Sequence, residues 1–293
     1  MKPAPFEFIA PDTLDEALDT LETYGSDAKL LAGGQSLIPA MNFRLMQPAV
    51  LIDLNRISSL AYINAHPEGG LRIGAMSRQR AVEKSALVAE RAPLLHEAMP
   101  HIAHSQIRNR GTIGGSLAHA DPAAELPVVA LALDAIFRVR NKGGERTIAA
   151  VDFFQFMFST DLAPDEILME IEIPPLPERT GWAFVEFARR KGDYALGGVA
   201  AWIRLNPDGL IQQARLVYLN LGEGPLQAVQ TEALLAGERP GLDLFRLAGK
   251  RAAEEVEPLG NVHATPEYQR HLAGVLTERA LSRAAARLNG GSS

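Results

Sequence analysis

The sequence predicts an α+β protein made of two successive units, and three observations carry that reading. A helix-capping signal, buried strand patterns and glycine turns alternate through the first part of the chain, prolines cluster at Pro174, Pro175 and Pro177, and strand-like runs followed by alanine- and charge-rich helices close it. The 293 residues exceed what one core usually organises. Clustered prolines suit an extended, exposed connector, so the expected division is 1–176 and 177–289.

The elements follow in order. Thr13-Leu14-Asp15-Glu16 is a capping box, and Leu14, Leu18, Leu21 and Tyr24 continue at helical spacing until Gly25. Lys29 to Ala32 reads as a buried strand running into Gly33-Gly34, and Ala49 to Leu54 as the next strand. After a strand at Leu71 to Ala75, Ser77 is expected to cap a helix to about Glu90, and Pro93 to open another to about Ala103. Glycine and polar residues from Gln106 to Ser116 argue for a loop, with a helix from about Pro122. Ala135 to Arg140 and Thr147 to Ala149 flank a hairpin turn at Asn141-Lys142-Gly143-Gly144, and Ile167 to Ile173 is a strand. Beyond the prolines, Trp182 to Ala188, Val199 to Leu205 and Ala214 to Leu221 read as an antiparallel meander, with a turn at Asn206-Pro207-Asp208-Gly209. Helices are expected near Leu242 to Glu257 and Pro266 to Leu288, then a frayed tail at Gly290-Gly291-Ser292-Ser293.

Composition narrows the chemistry. With 47% hydrophobic and 22% charged residues the chain is of ordinary globular type. A formal net charge of -6 supplies no electropositive field for nucleic acid. Cysteine is absent, which removes disulfides, thiolate nucleophiles, Cys-ligated zinc and Cys-ligated iron–sulfur clusters from this chain. The start has no apolar run and Leu126 to Leu133 is too short to span a bilayer, so a cytoplasmic location without a transmembrane segment is expected.

Two segments stand out. In Leu30-Leu31-Ala32-Gly33-Gly34-Gln35-Ser36-Leu37, paired glycines at a strand end let the backbone bend and let a phosphate approach its N–H groups. Thr112-Ile113-Gly114-Gly115-Ser116 repeats the pattern with flanking hydroxyls. Each pair taken alone also fits a plain tight turn. Neither has the spacing of a Rossmann fingerprint, a P-loop or a nucleophile elbow.

The surroundings of these segments carry a family likeness. Ala32-Gly33-Gly34-Gln35-Ser36-Leu37-Ile38-Pro39 with Arg44, and Arg110-Gly111-Thr112-Ile113-Gly114-Gly115-Ser116-Leu117-Ala118-His119-Ala120-Asp121-Pro122-Ala123-Ala124-Glu125-Leu126-Pro127, resemble the two FAD signatures of the medium, flavin-binding subunit of molybdenum hydroxylases. The nearest likeness is to the aerobic carbon monoxide dehydrogenase branch, and more distantly to the flavin domain of xanthine dehydrogenase. Glu166 to Pro174 and Arg190-Lys191-Gly192-Asp193-Tyr194-Ala195 extend the resemblance over nearly the whole chain.

The resemblance implies a flavin domain of the vanillyl-alcohol-oxidase (PCMH) type in two subdomains, followed by a domain of antiparallel sheet and helices. It implies that Ala32 to Leu37 and Thr112 to Ser116 hold the FAD pyrophosphate, with Leu30, Leu31, His119, Glu125 and Leu168 also at the cofactor and Asp193 and Tyr194 near the isoalloxazine. No residue of this chain is expected to be catalytic or to bind metal. Substrate oxidation would occur on a large molybdenum-cofactor subunit, electrons would reach FAD through [2Fe-2S] clusters of a small subunit, and the implied assembly is a dimer of heterotrimers. The alternatives are a stand-alone FAD oxidoreductase of the same fold and a nucleotide-binding scaffold without redox work.

Lesser signals are read conservatively. His101 and His104, at i and i+3, lack a third ligand and point to packing. His119 suits a positioning hydrogen bond, and Arg108 and Arg110 suit phosphate, a salt bridge or the capping of carbonyls. Phe153, Phe154, Phe156 and Phe158 suit a core or an interdomain seam, or a partner-binding patch.

Overall fold

The computed structural model describes residues 2–288, so the tail read as frayed lies outside the described residues. Three larger sheets organise it, beside a two-stranded ribbon of Phe154–Phe156 and Ser159–Thr160. Strands Glu7–Ile9, Val50–Asp53 and Ala28–Leu31 form a parallel sheet with 50–53 in the middle. Ile63–Ala65, Leu71–Gly74, Ile167–Ile173, Ile136–Asn141 and Gly144–Ala149 form an antiparallel sheet in that order. Thr180–Ala188, Ala195–Leu205, Ile211–Leu219 and Leu226–Gln227 form the expected meander. The architecture is the expected α+β arrangement of a mixed first part and a sheet-and-helix second part.

The first helix, Leu14–Tyr24, begins as its sequence demands. The Glu16 amide donates to Thr13 Oγ1 at 3.2 Å, while the Thr13 and Asp12 amides donate back to Glu16 Oε2. Its buried Ala17, Leu18 and Leu21 join Val50 and Ile52 in a small core under the parallel sheet.

Other expectations need correction. Ser77 caps no helix, because its hydroxyl donates to the Tyr62 carbonyl at 2.8 Å and accepts from the Tyr62 amide. The single helix expected to reach Glu90 is two, Gln79–Lys84 and Ala86–Arg91, and Ser85 between them is extended and caps the second through Val88 N–H. The helix from Pro93 ends at Ala98 and tightens into a 3₁₀ turn at Met99–His101, where Pro100 has no N–H to give. Ala195–Leu205 starts four residues before the expected Val199, since Gly197 and Gly198 sit inside the strand. Gly198 is closely packed there, as a Cβ would come 2.6 Å from the Leu219 side chain and 2.9 Å from Glu186 Cβ. The expected helix from Pro122 runs from Glu125 to Ala132, and the short strands at Glu7–Ile9 and Ile63–Ala65 carry too few residues to announce themselves.

The proline connector is pinned and not freely exposed. Pro174, Leu176 and Pro177 are half-buried, and a Cβ on Gly70 would collide with the Ile173 carbonyl and the Pro174–Pro175 backbone. The meander beyond it is buried on both faces. Ala183, Val185, Ala201 and Ile203 face the helices Leu242–Glu255 and Pro266–Leu288, whereas Phe184, Ala200, Trp202 and Val217 enter the same core as Phe137, Leu168 and Val128. Trp202 Nε1 donates to the Ala132 carbonyl at 2.7 Å across that seam.

Candidate functional site

The strand Ala28–Leu31 gives way at Ala32 to the glycine turn, beside the carboxyl end of 50–53, the edge of a parallel sheet where ligands characteristically bind. Gly34 then takes φ +74°, a left-handed conformation open to glycine at little cost, and Leu37–Asn42 forms a short helix. Gly33 is glycine for a different reason, since a Cβ would lie 2.5 Å from the Arg110 oxygen and 2.7 Å from Gly111 Cα. The two glycine segments therefore touch backbone to backbone.

The second segment is not a loop. Ile113–His119 is helical, with Thr112 as N-cap accepting from the Gly115 amide at 3.0 Å. Helical glycine costs about 1 kcal/mol relative to alanine, and packing explains why the sequence keeps two. A Cβ on Gly114 would run into Ala75, and one on Gly115 would meet Thr112 Oγ1 at 2.7 Å and Ala32 at 3.1 Å. The polar, glycine-rich composition that argued for a loop is thus the signature of a close crossing.

The segments differ in what they offer a ligand. In the second, the amides of Ile113, Gly114, Gly115 and Ser116 are spent on Ser77 O, Ala75 O, Thr112 Oγ1 and Thr112 O. In the first, the amides of Gly33, Gly34, Gln35 and Ser36 have no acceptor among the described residues. Successive unbonded N–H groups around a glycine turn form an anion-binding concavity, as a dinucleotide diphosphate requires. Gln35 donates from Nε2 to Gly33 O at 3.2 Å and stiffens that turn. Leu30, Leu31 and Ala32 lead into it, Ile113 anchors the second segment in the core, and Leu168 shares that core from the central 167–173 strand.

A second group of expected residues gathers around acids. Glu125 is 8% exposed at the head of 125–132. Burial, reinforced by Glu186 and Asp121, pushes its carboxyl up to about 8. Glu186 receives His101 Nδ1 at 3.0 Å, and its other oxygen is buried without a partner. Tyr194 is 69% exposed, its hydroxyl raised by partial burial and by Asp121 and Glu125. Asp193 is exposed. Gly192, at φ +89°, packs on the His104 ring, which fixes the 190–194 loop against the first part of the chain. His119 is half-buried, with its ring centroid 5.1 Å from that of Phe158.

For several side chains the structure decides between the roles weighed on the sequence. His101 and His104 do not share a helical face, because Ala103 between them sits at φ 42°. Arg108 is buried, pairs with Glu83 at 2.9 Å and donates to the Ile102 and Ala103 carbonyls, so it holds protein and not phosphate. Phe153 is core, whereas Phe156 and Phe158 are exposed. Residues that the sequence did not single out include Asn55, Arg78 and Glu186. Asn55 lay within reach as a polar residue just past a strand end; nothing local marked the other two.

The raised Glu125 carboxyl has a consequence for stability. Its folded value lies above the ordinary one, so the folded state holds a proton that the unfolded state has released, and stability falls as pH rises from about 4.5 to 8. Glu125→Gln is expected to remove that slope, gaining roughly 1–3 kcal/mol on wild type between pH 5 and 8.5. Urea unfolding at both pH values checks this; parallel curves for the two proteins would refute it.

Comparison with known proteins places this geometry. The family described as the FAD binding domain in molybdopterin dehydrogenase matches residues 4–176, and the CO dehydrogenase flavoprotein C-terminal domain matches 182–284. Subunit alpha of the 6-hydroxypseudooxynicotine dehydrogenase complex of Paenarthrobacter nicotinovorans is 40% identical, over 97% of this chain and 96% of its own length. The carbon monoxide dehydrogenase medium chain of Hydrogenophaga pseudoflava is 37% identical over 98% of this chain and 99% of its own. A solved carbon monoxide dehydrogenase from the same organism, lacking the Mo-pyranopterin moiety of its cofactor, superposes with a TM-score of 0.94 at 38% identity, covering 98% of this chain and 99% of that one. Quinoline 2-oxidoreductase from Pseudomonas putida 86 superposes at 0.93 with 36% identity, over 98% and 99% of the two chains. Paired glycine segments, unbonded amides at a parallel sheet edge and full-length likeness together show that this chain belongs to the medium, FAD-binding subunits of the molybdopterin dehydrogenases.

Proposed function

We propose that this chain collects electrons from [2Fe-2S] clusters of a small subunit and passes them from FAD to an external acceptor, while a large molybdenum-cofactor subunit oxidises the substrate. The observation that carries the reading is the row of unbonded amides at Gly33 to Ser36, seated against the helix that starts at Thr112. A cysteine-free chain supplies no thiolate for a cluster, so cluster chemistry belongs on a partner. Relatives of similar length are described as medium chains and as subunits of dehydrogenase complexes, which supports a multi-subunit assembly. The reading includes a dimer of heterotrimers in the cytoplasm; no described helix is long and apolar enough to cross a membrane.

Within this reading FAD supplies the two-electron chemistry and the chain supplies binding and tuning. The amides of Gly33, Gly34, Gln35 and Ser36, with the Thr112 and Ser116 hydroxyls, would hold the diphosphate. Leu30, Leu31, Leu37, Ile113 and Leu168 would shape the apolar wall behind it. Gly114 and Gly115 would keep the crossing close. His119, Glu125, Asp193 and Tyr194 would border the rest of the cofactor, Glu125 as a neutral carboxylic acid able to donate a hydrogen bond at pH 7. Residues 1–176 would constitute the cofactor domain and 177–289 the C-terminal domain.

The test is the visible spectrum of the purified chain, with the cofactor released by heat and identified. Oxidised-flavin absorbance, FAD in the supernatant, and no bleaching by organic substrates until the partner subunits are added is the expected result. A folded protein that takes up no FAD would overturn the reading, and bleaching by a small organic substrate without partners would favour a stand-alone flavoenzyme.

A further inference from the structure

The two glycine segments lie far apart in sequence, yet their backbones meet at Gly33 and Gly111. One polar chain spans the seam. Arg78 donates through Nη2 to Asn55 Oδ1 at 2.6 Å and through Nη1 to the Arg110 carbonyl. Asn55 donates from Nδ2 to the Ala32 carbonyl at 2.9 Å and to Asp53 Oδ1, which also accepts the Asn55 amide at 3.0 Å. The backbone around Arg78 is itself paired with the second segment, by a bridge to Thr112 and by the Gln79 amide donating to Gly111 O at 2.9 Å.

The carbonyls chosen are those that aim the site. A peptide unit is planar and trans, so its C=O and the next N–H point in opposite directions. Holding the Ala32 oxygen on Asn55 therefore turns the Gly33 N–H, the first of the unbonded row, away from Asn55. Holding the Arg110 oxygen on Arg78 fixes the backbone against which Gly33 rests. A guanidinium reaches both acceptors because its donors form a rigid fork, and it keeps its charge.

We propose that Asp53, Asn55 and Arg78 form a positioning clamp that sets the spacing of the two glycine segments and the direction of the Gly33 N–H, and thereby the affinity for the diphosphate of FAD. The proposal rests on the flavin reading above. None of the three needs to touch the cofactor.

The experiment titrates FAD into the flavin-stripped full chain and follows quenching of flavin fluorescence, with the melting temperature of the FAD-free protein in parallel. Arg78→Lys keeps the charge but replaces the planar two-nitrogen fork with a single nitrogen on a more flexible stem, and Asn55→Ala removes the link to Ala32. Each is expected to weaken FAD binding about tenfold to hundredfold, with FAD-free melting within about 4 °C of wild type. Because the residues act as one unit, the double variant should bind no more weakly than the weaker single. Unchanged affinity in either single variant, or losses that multiply in the double, would overturn the clamp. Should Asn55→Ala not fold, Asn55→Ser carries the same expectation. Failure of wild type itself to bind FAD sinks the flavin reading instead, so the two outcomes are separable.

Discussion

Gly33→Ala is expected to deprive the protein of its flavin. A Cβ at this position would stand 2.5 Å from the Arg110 oxygen and 2.7 Å from Gly111 Cα. Both are backbone atoms of the facing segment, with no rotamer through which to yield. Overpacking of this kind costs about 1–3 kcal/mol, and the way to relieve it is to part the segments. The row of amides from Gly33 to Ser36 would then shift relative to the second segment, and on the proposed reading FAD affinity should fall at least about tenfold. The neighbouring Gly34→Ala differs in kind. Its Cβ would meet only the Ile38 and Leu31 side chains at 3.1 and 3.2 Å, so the main cost is that of φ +74°, about 1–2 kcal/mol. Gly224→Ala, where a Cβ meets nothing within 4 Å, is the control. The flavin-to-protein absorbance ratio after purification and FAD titration of the stripped proteins measure all three. Full occupancy and wild-type affinity in Gly33→Ala would mean that the crossing does not shape the site.

Trp202→Ala should cost about 3–5 kcal/mol of global stability, the usual toll of emptying a large aromatic site. The indole is 3% exposed and shares a core with Phe137, Leu168, Val128 and Leu219. Its Nε1 also satisfies the Ala132 carbonyl, which would be left buried and unbonded. The meander carrying Trp202 lies in the second half of the chain, but the face it presents here completes the core of the first half. The loss should accordingly appear in a single transition, with circular dichroism and the fluorescence of the remaining Trp182 falling together during urea unfolding. Two separated transitions, with only the later part of the chain destabilised, would show that the halves unfold independently.

That shared core marks where sequence and structure part company. The proline cluster at Pro174, Pro175 and Pro177 is visible in the sequence, and an exposed connector is a fair expectation from it. The alternation of the 180–188 strand, with Ala183 and Val185 to one side and Phe184 to the other, says only that both faces are apolar. It does not say that helices cover one and the first half of the chain covers the other. Likewise Glu125 has the composition of any acid at a helix start. Its carboxyl rises because folding brings Glu186 and Asp121 near it and withdraws water.

What the sequence determined by itself was local or chemical. The capping box at Thr13, the hairpin at Asn141 to Gly144 and the turn at Asn206 to Gly209 follow from residue types at fixed short spacing, which the backbone reads without outside help. The lack of cysteine ruled out a thiolate cluster on this chain, and the paired glycines marked the two segments that the fold brings together. The tertiary structure alone decided why those glycines are needed, that the second pair lies in a helix, that its amides are spent while those of the first stand open, and that Arg78 and Asn55 join the two. Each of these depends on residues distant in sequence meeting at contact range, and hydrogen-bond satisfaction and steric fit are settled only once the chain has closed on itself.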